Sequence, residues 1–411
     1  MVRSSRDGCR GGSATERRFL PLALAFVIKS LKPSGMTSKL NVLMLPTFNS
    51  FNKYCSALAQ SVRREGVNIQ SVSEWTPTLP IFSMLRTAGL PHLLHLHWIE
   101  TYTIKKTWWR SFIASTLFVA ELLILKTLGV RIVWTIHDTL NVDEQFSDLD
   151  IKLRRLTAKL ANAVIVHTEL AREEVTLVYQ LSERDQEKIR VIPHGHYIEA
   201  YPNSVSRRDA RESLGLDGDL FVFGLVGYLR PYKGVLDLIQ AFRRLGGENT
   251  RLVIAGMPFD VSFAHDIQEA TRGDDRIRLY LQFIEDEKLQ VFLNAMDVLV
   301  FPYSRSLTSG SLILAMSFGK AVVAADHATI GEIISSDGGL VYSPGDLQGL
   351  VECLSEIRMR QVGSMGERNL ERARTFEWRS IATTTVALYC DVTGRRAPHC
   401  SDVQNQFKKT A

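Results

Sequence analysis

The sequence predicts an α/β fold of two doubly wound domains facing a central cleft, and three observations carry that prediction. Twelve short apolar runs alternate with helical patterns along the 411 residues. Several of these runs are continuous stretches of Val, Ile and Leu, as parallel strands buried on both faces require. A polar break from Pro202 to Arg208 divides them into two sets, in a chain longer than one core usually organises.

In the first set the predicted strands are Leu40–Leu45, Val67–Val72, Leu93–His97, Val130–Ile136, Ala163–His167 and Lys188–Ile192. In the second they are Phe221–Val226, Leu252–Ala255, Ile277–Leu281, Val298–Phe301, Ala321–Ala324 and Gly339–Tyr342. A helical pattern separates each from the next, which is the alternation of parallel crossover units. The expected organisation is a leader over 1–36, a first domain over 37–202, a second over 203–375, a C-terminal helix over 376–390 and a loose polar tail over 391–411. Residues 17 to 29 imitate a signal-peptide core, but the run is too short to span a bilayer and no small-residue cleavage site follows. Met36 precedes the first strand directly, so either translation starts there or the leader is disordered.

Hydrophobic residues make up 45% and charged residues 23%, the balance of a folded soluble protein. A net charge of +5 suits anionic ligands or an anionic membrane face and is too weak to argue for nucleic acid. Cys9, Cys55, Cys353, Cys390 and Cys400 are scattered without paired spacing, so they are expected to be reduced thiols in a cytosolic protein, with no metal site.

Two strand-to-helix turns carry the chemistry. In the first, the strand ending at Val226 runs into Gly227-Tyr228-Leu229-Arg230-Pro231-Tyr232-Lys233-Gly234 and then a helix. Backbone N–H groups at a helix N-terminus, a forked guanidinium and a point-charge ammonium suit a diphosphate. In the second, Val298–Phe301 is followed by Pro302 and Tyr303, then by Ser306-Leu307-Thr308-Ser309-Gly310 and a helix from Ser311 to Phe318. Its hydroxyls and N–H groups form another anion cradle, or else simply cap the helix. Two such cradles in one parallel domain point to a nucleotide diphosphate at the carboxyl ends of the strands. No strand leads into the Gly-x-Gly-x-x-Gly turn of a nicotinamide-binding oxidoreductase.

In the first domain, His137, Glu100 and Asp138 stand at strand ends as candidate catalytic groups, since deprotonating an acceptor hydroxyl needs a carboxylate or imidazole. His95, His97 and Asn49 are candidates for the cleft or acceptor, and His194 and His196 lie at the crossing between domains, where they contact the donor or shape the hinge. Lys105, Lys106, Trp108, Trp109, Arg110 and Phe112 interleave bases with aromatics, a mixture suited to a membrane interface. Leu117 to Leu128 is expected to be core.

The elements His95-Leu96-His97-Trp98-Ile99-Glu100, Thr135-Ile136-His137-Asp138, Ile192-Pro193-His194-Gly195-His196-Tyr197, Gly224 to Gly234 and Ser309-Gly310-Ser311-Leu312 occur in that order. From about Leu40 to Ala324 the chain resembles GT-B glycosyltransferases of bacterial exopolysaccharide assembly, most closely the xanthan-type GDP-mannose:glycolipid β-1,4-mannosyltransferases. The resemblance implies two Rossmann-like domains, with the donor (GDP-mannose or a UDP-hexose) held mainly by the second. It implies a lipid-linked oligosaccharide acceptor held by the first, at the inner face of the plasma membrane. The candidate donor residues are Arg230, Lys233, Gly227, Tyr303, Thr308, Ser309, Gly310, His194 and His196; because the two turns supply positive charge and no Asp-x-Asp stands at a strand end of the second domain, no cofactor and no metal are expected. Where retaining members place two Glu residues, this chain has Ser306 and Leu314, and its first-turn Arg comes two places later than is usual. These departures leave the donor and the stereochemistry open, and the resemblance to the β-mannosyl enzymes implies transfer with inversion; the alternatives are a retaining transferase with another donor, a nucleotide-sugar epimerase, or a noncatalytic membrane-associated scaffold.

Overall fold

The computed structural model describes residues 39–46, 52–72, 76, 78–141, 143, 145–327 and 329–395. The expected leader, Asn49, Cys9, Cys400 and residues 396–411 lie outside the described residues. Among the described residues, twelve strands form two parallel sheets of six. The first comprises β1 (Asn41–Leu45), β2 (Asn68–Gln70), β3 (Leu93–Leu96), β4 (Arg131–Thr135), β5 (Ala163–Val166) and β6 (Ile189–Val191), in the order β2-β1-β3-β4-β5-β6. The second comprises β7 (Phe221–Val226), β8 (Thr250–Ala255), β9 (Ile277–Tyr280), β10 (Val298–Phe301), β11 (Ala321–Ala325) and β12 (Gly339–Tyr342), in the order β12-β11-β10-β7-β8-β9. The second order is that of a dinucleotide-binding sheet, with its switch between β7 and β10. Each expected strand is present, several trimmed by a residue or two at an end where the apolar run outlasts the ladder, with β8 extended backward to Thr250 and β11 forward to Ala325.

Burial explains the composition of the strands. All five residues of β1, four of five in β4 and all four of β10 are buried, since helices cover both faces of each sheet. The helix Trp378–Thr393 runs three residues beyond the expected C-terminal helix and takes up the start of the expected tail. It leaves the second domain and packs on the first, where Ile381, Val386, Leu388 and Tyr389 share a core with Val42, Tyr54 and Leu58. A second tie is electrostatic. Glu332 accepts hydrogen bonds from the N–H groups of Glu169 (3.0 Å) and Leu170 (2.8 Å), so a carboxylate of the second domain caps a helix of the first.

The helix Trp108–Thr127 is two-faced. Phe118, Leu122 and Leu125 are fully buried, as expected of the segment from Leu117, but Leu123 is 47% exposed on the other face. Glu121, a carboxylate within this apolar helix, is fully buried and accepts a hydrogen bond from the N–H of Phe82 at 2.7 Å, near the start of the helix Pro80–Ala88. Burial pushes its carboxyl up to about 8, against the pull of the N–H groups of Phe82 and Ile81. A carboxyl raised on folding gives stability that is full below its unfolded value and is lost as pH rises through about 8. Glu121→Gln keeps an acceptor and removes the ionisation. Its melting temperature is expected to gain on the wild type from about pH 5 up to about pH 8 and to level off above that. A difference that stays constant over that range would show that Glu121 does not titrate in the folded protein.

Candidate functional site

The first turn leaves β7 through Gly227 and closes as a single turn of 3-10 helix, Pro231–Lys233. Gly234 ends it at φ +64°, and a Cβ there would lie 1.9 Å from the Pro302 carbonyl oxygen. Only glycine lets this turn lie directly on the one that follows β10. Lys233 is 7% exposed, its Nζ 5.6 Å from the Tyr303 ring. Burial lowers it to about 8, the Arg230 charge adding to the effect and Asp138 opposing it. Arg230 is engaged differently from the sequence expectation. It lies over the Phe259 ring at 5.2 Å and ion-pairs with Asp143 of the first domain, so here it bridges the cleft.

In the second turn, Ser309 is the N-cap of the helix Gly310–Ser317, its Oγ accepting from the Leu312 N–H at 3.1 Å. Cap and cradle are thus the same residue, and Thr308 supplies what the capping explanation leaves over. Its buried Oγ1 has no hydrogen-bond partner. The Tyr303 hydroxyl bonds the side chains of Ser311 and Ser309 while burial raises it to about 12, so it buttresses the turn from behind.

Two cavities open between the turns and the first domain. One, of about 220 Å³, is walled by Gly227, Lys233, Met257, Phe283, Ser311 and Leu314 among others. The second, of about 400 Å³, lies between domains and is lined by Tyr54, His137, Asp138, His194, Thr308 and Gly310 among others. Tyr201 and Tyr228 belong to both, so the two form one cleft, with Lys233 in the smaller part and Asp138 in the larger.

The candidate groups of the first domain separate into lining and supporting residues. Asp138 follows β4 and lines the second cavity; burial and the Glu100 carboxylate raise it to about 6, against Arg154 and Arg305. Glu100 is not among the lining residues. It pairs with Arg154 at 2.9 Å, and the same guanidinium holds Asp150 at 2.9 Å and the Asp138 carbonyl at 2.9 Å. His137 lines the cavity, stacked on Trp98 with ring centroids 4.1 Å apart and its Nε2 3.1 Å from His97 Nδ1. Burial holds both imidazoles well below their ordinary values, so they are neutral at pH 7. His95 is a fully buried tie between Tyr389 and Thr135, at 2.6 and 2.8 Å, and does not line either cavity. His194 lines the cavity with its Nδ1 donating to the Gly195 carbonyl at 2.8 Å. His196 instead forms the hinge, its N–H donating to Phe376 O and its carbonyl accepting from Trp378 Nε1 at 2.7 Å.

Tyr54, Lys53, Trp98, Tyr201 and Asp286 also line the cleft and were not anticipated. Trp98 had a signal, since it follows His97 at a strand end. Tyr54 and Lys53 had none, because only the helix Lys53–Arg64 brings them under the cavity.

Residues 221–358 match the family model described as glycosyl transferases group 1, and residues 113–199 match glycosyltransferase family 4. A GDP-mannose:glycolipid 4-beta-D-mannosyltransferase of Xanthomonas campestris pv. campestris is 29% identical over 60% of this chain and 65% of its own length, a little under two thirds. Among solved structures, sucrose-phosphate synthase from Thermosynechococcus elongatus superposes with a TM-score of 0.66 at 18% identity, covering 87% of this chain and all (100%) of that one. Anabaena HepE in complex with UDP and glucose gives 0.67 at 16% identity, covering 86% of this chain and 100% of the other. At these identities the structural likenesses establish the fold. One glycosyltransferase family model matches in each domain, so the chain is similar in sequence to glycosyltransferases and has the GT-B fold.

Proposed function

We propose that the protein moves a hexose, mannose from GDP-mannose in the first instance, onto a lipid-linked glycan with inversion at the anomeric carbon. One observation carries this reading: a continuous cleft with Lys233 and the Thr308–Gly310 cradle on one domain and Asp138 on the other. The Xanthomonas relative, named for GDP-mannose and a glycolipid, supports the choice of donor and acceptor.

In this reading the diphosphate lies against Lys233, the helix N-terminus at Gly310 and the unpartnered Thr308 hydroxyl. As the glycosidic bond to phosphate breaks, negative charge grows on the leaving oxygen, and pre-positioned cations and N–H dipoles stabilise it. Arg230 joins them when it exchanges Asp143 for phosphate. On the opposite face Asp138 takes the proton of the attacking hydroxyl. A carboxyl near 6 is largely ionised at neutral pH yet more basic than an ordinary aspartate, as a general base should be. Glu100 and Arg154 fix its backbone and tune its charge.

Asp138→Asn is expected to lower kcat by on the order of 10²–10⁴ and to abolish the rise in rate as pH climbs through about 6. Lys233→Ala is expected to cost on the order of a hundredfold. Turnover and a pH profile close to wild type in Asp138→Asn would remove this residue from the chemistry. Because the positive charge comes from side chains and N–H groups, transfer is expected to persist in EDTA; a strict requirement for Mg²⁺ or Mn²⁺ would assign that work to a metal.

The acceptor's lipid implies a membrane, and the first domain has a surface for it. Trp108, Trp109, Phe112 and Ile113 are 42, 69, 42 and 56% exposed, with Trp108 stacked on Phe112 at 5.3 Å and Lys106 and Arg110 exposed beside them. We propose that this end of the helix docks on the anionic inner leaflet, each base adding about 1 kcal/mol of salt-sensitive attraction. Replacing Lys105, Lys106 and Arg110 by Glu should release the protein from anionic vesicles and leave nucleotide-sugar binding intact. Undiminished cosedimentation of that triple variant at low salt would count against the docking face.

A further inference from the structure

We propose that Asp286 is the residue by which the donor site holds the nucleoside, its carboxylate accepting hydrogen bonds from ribose hydroxyls or base N–H groups. The proposal rests on reading the smaller cavity as the donor site. Among the described residues lining that cavity, Lys233 is the one cation and Asp286 the one carboxylate. Much of the wall between them is apolar, with Val226, Met257, Ile284 and Leu289. Lys233 belongs to the turn after β7, while Asp286 opens the helix that follows β9. With β8 between them, the strands β7 and β9 that lead into these elements stand two strand spacings apart, about 10 Å, comparable to the reach of a nucleoside diphosphate from its phosphates to its ribose and base.

A nucleoside entering such a cavity brings several N–H and O–H donors, each costly to bury without an acceptor. Leu314, in the adjacent wall, offers none. A carboxylate has lone pairs for about four hydrogen bonds, so pairing with Lys53 through Oδ2 at 2.6 Å leaves Asp286 with acceptor capacity. Lys53 comes from the first domain and also lines the larger cavity, lying 5.4 Å over the ring of Tyr201. The nucleoside-reading carboxylate is therefore oriented from across the cleft.

Isothermal titration of the full chain tests this, using the tighter of GDP and UDP, its 2′-deoxy counterpart and pyrophosphate. Asp286→Ala should weaken the nucleoside diphosphate by tenfold or more and leave pyrophosphate unchanged, with Asp286→Asn in between as the variant that keeps the side chain's shape. Lys233→Ala should weaken nucleotide and pyrophosphate alike. If Asp286→Ala affects only the ribonucleotide, the carboxylate holds the ribose; if it affects ribo- and deoxynucleotide equally, it holds the base. Wild-type nucleotide affinity in both Asp286 variants, with Lys233→Ala weakened, overturns the role of Asp286 and leaves the donor site standing. Wild-type affinity in Lys233→Ala overturns the donor site itself and this inference with it.

Discussion

Trp378 lies against the backbone of Gly195 so closely that a Cβ there would sit 2.3 Å from the indole, and the indole N–H donates to the His196 carbonyl at 2.7 Å. This contact occurs where the chain passes between domains and where the last helix turns back to the first. From that point the helix delivers Tyr389 to His95 and places Ile381 and Val386 in the core around Tyr54. Without it the two sheets would be joined mainly by the cleft-side ion pairs and the Glu332 cap. A surface ion pair contributes little on its own, so the cleft's geometry depends on this packed crossing more than on any charge across it.

The electrostatics of the first domain follow from the same burial. Tyr54 touches the rings of His97, His137, His167 and His194, and desolvation keeps these imidazoles neutral. The histidines on the floor of the cleft are thus packed, polar and uncharged beside the Asp138 carboxyl. Arg154 is the pivot of that arrangement, gripping Glu100, Asp150 and the Asp138 carbonyl from a nearly fully buried position. A guanidinium serves here because its several donors spread over three acceptors at once, which an ammonium on a flexible stem would do less rigidly.

Strand positions and the two phosphate turns were legible in the sequence because each is a local property. A parallel strand buried on both faces must be apolar throughout, and a turn that brings glycine, cations and hydroxyls to a helix start must encode them side by side. His137 and Asp138 were legible for the same reason, since the end of a strand carries its next residues to the carboxyl edge of the sheet. The resemblance carried by Gly224 to Gly234 and by His194 to Tyr197 held, and with it the fold and the class of enzyme.

Tertiary structure decided which of these candidates face the cleft. Glu100 and Asp138 look alike as carboxylates beyond strand ends, but an arginine 54 residues away claims Glu100, and only Asp138 lines the cavity. His95 and His97 share a strand face, yet His95 is taken by a tyrosine 294 residues further on. Asp286 and Lys53 show no local motif at all, because their meeting requires two domains to close on each other. Sequence alone thus determined the secondary structure, the anion-binding turns and the family, which rest on neighbouring residues. The division of the polar groups into those that hold the structure and those that face a ligand rests on long-range burial, and only the folded chain sets it.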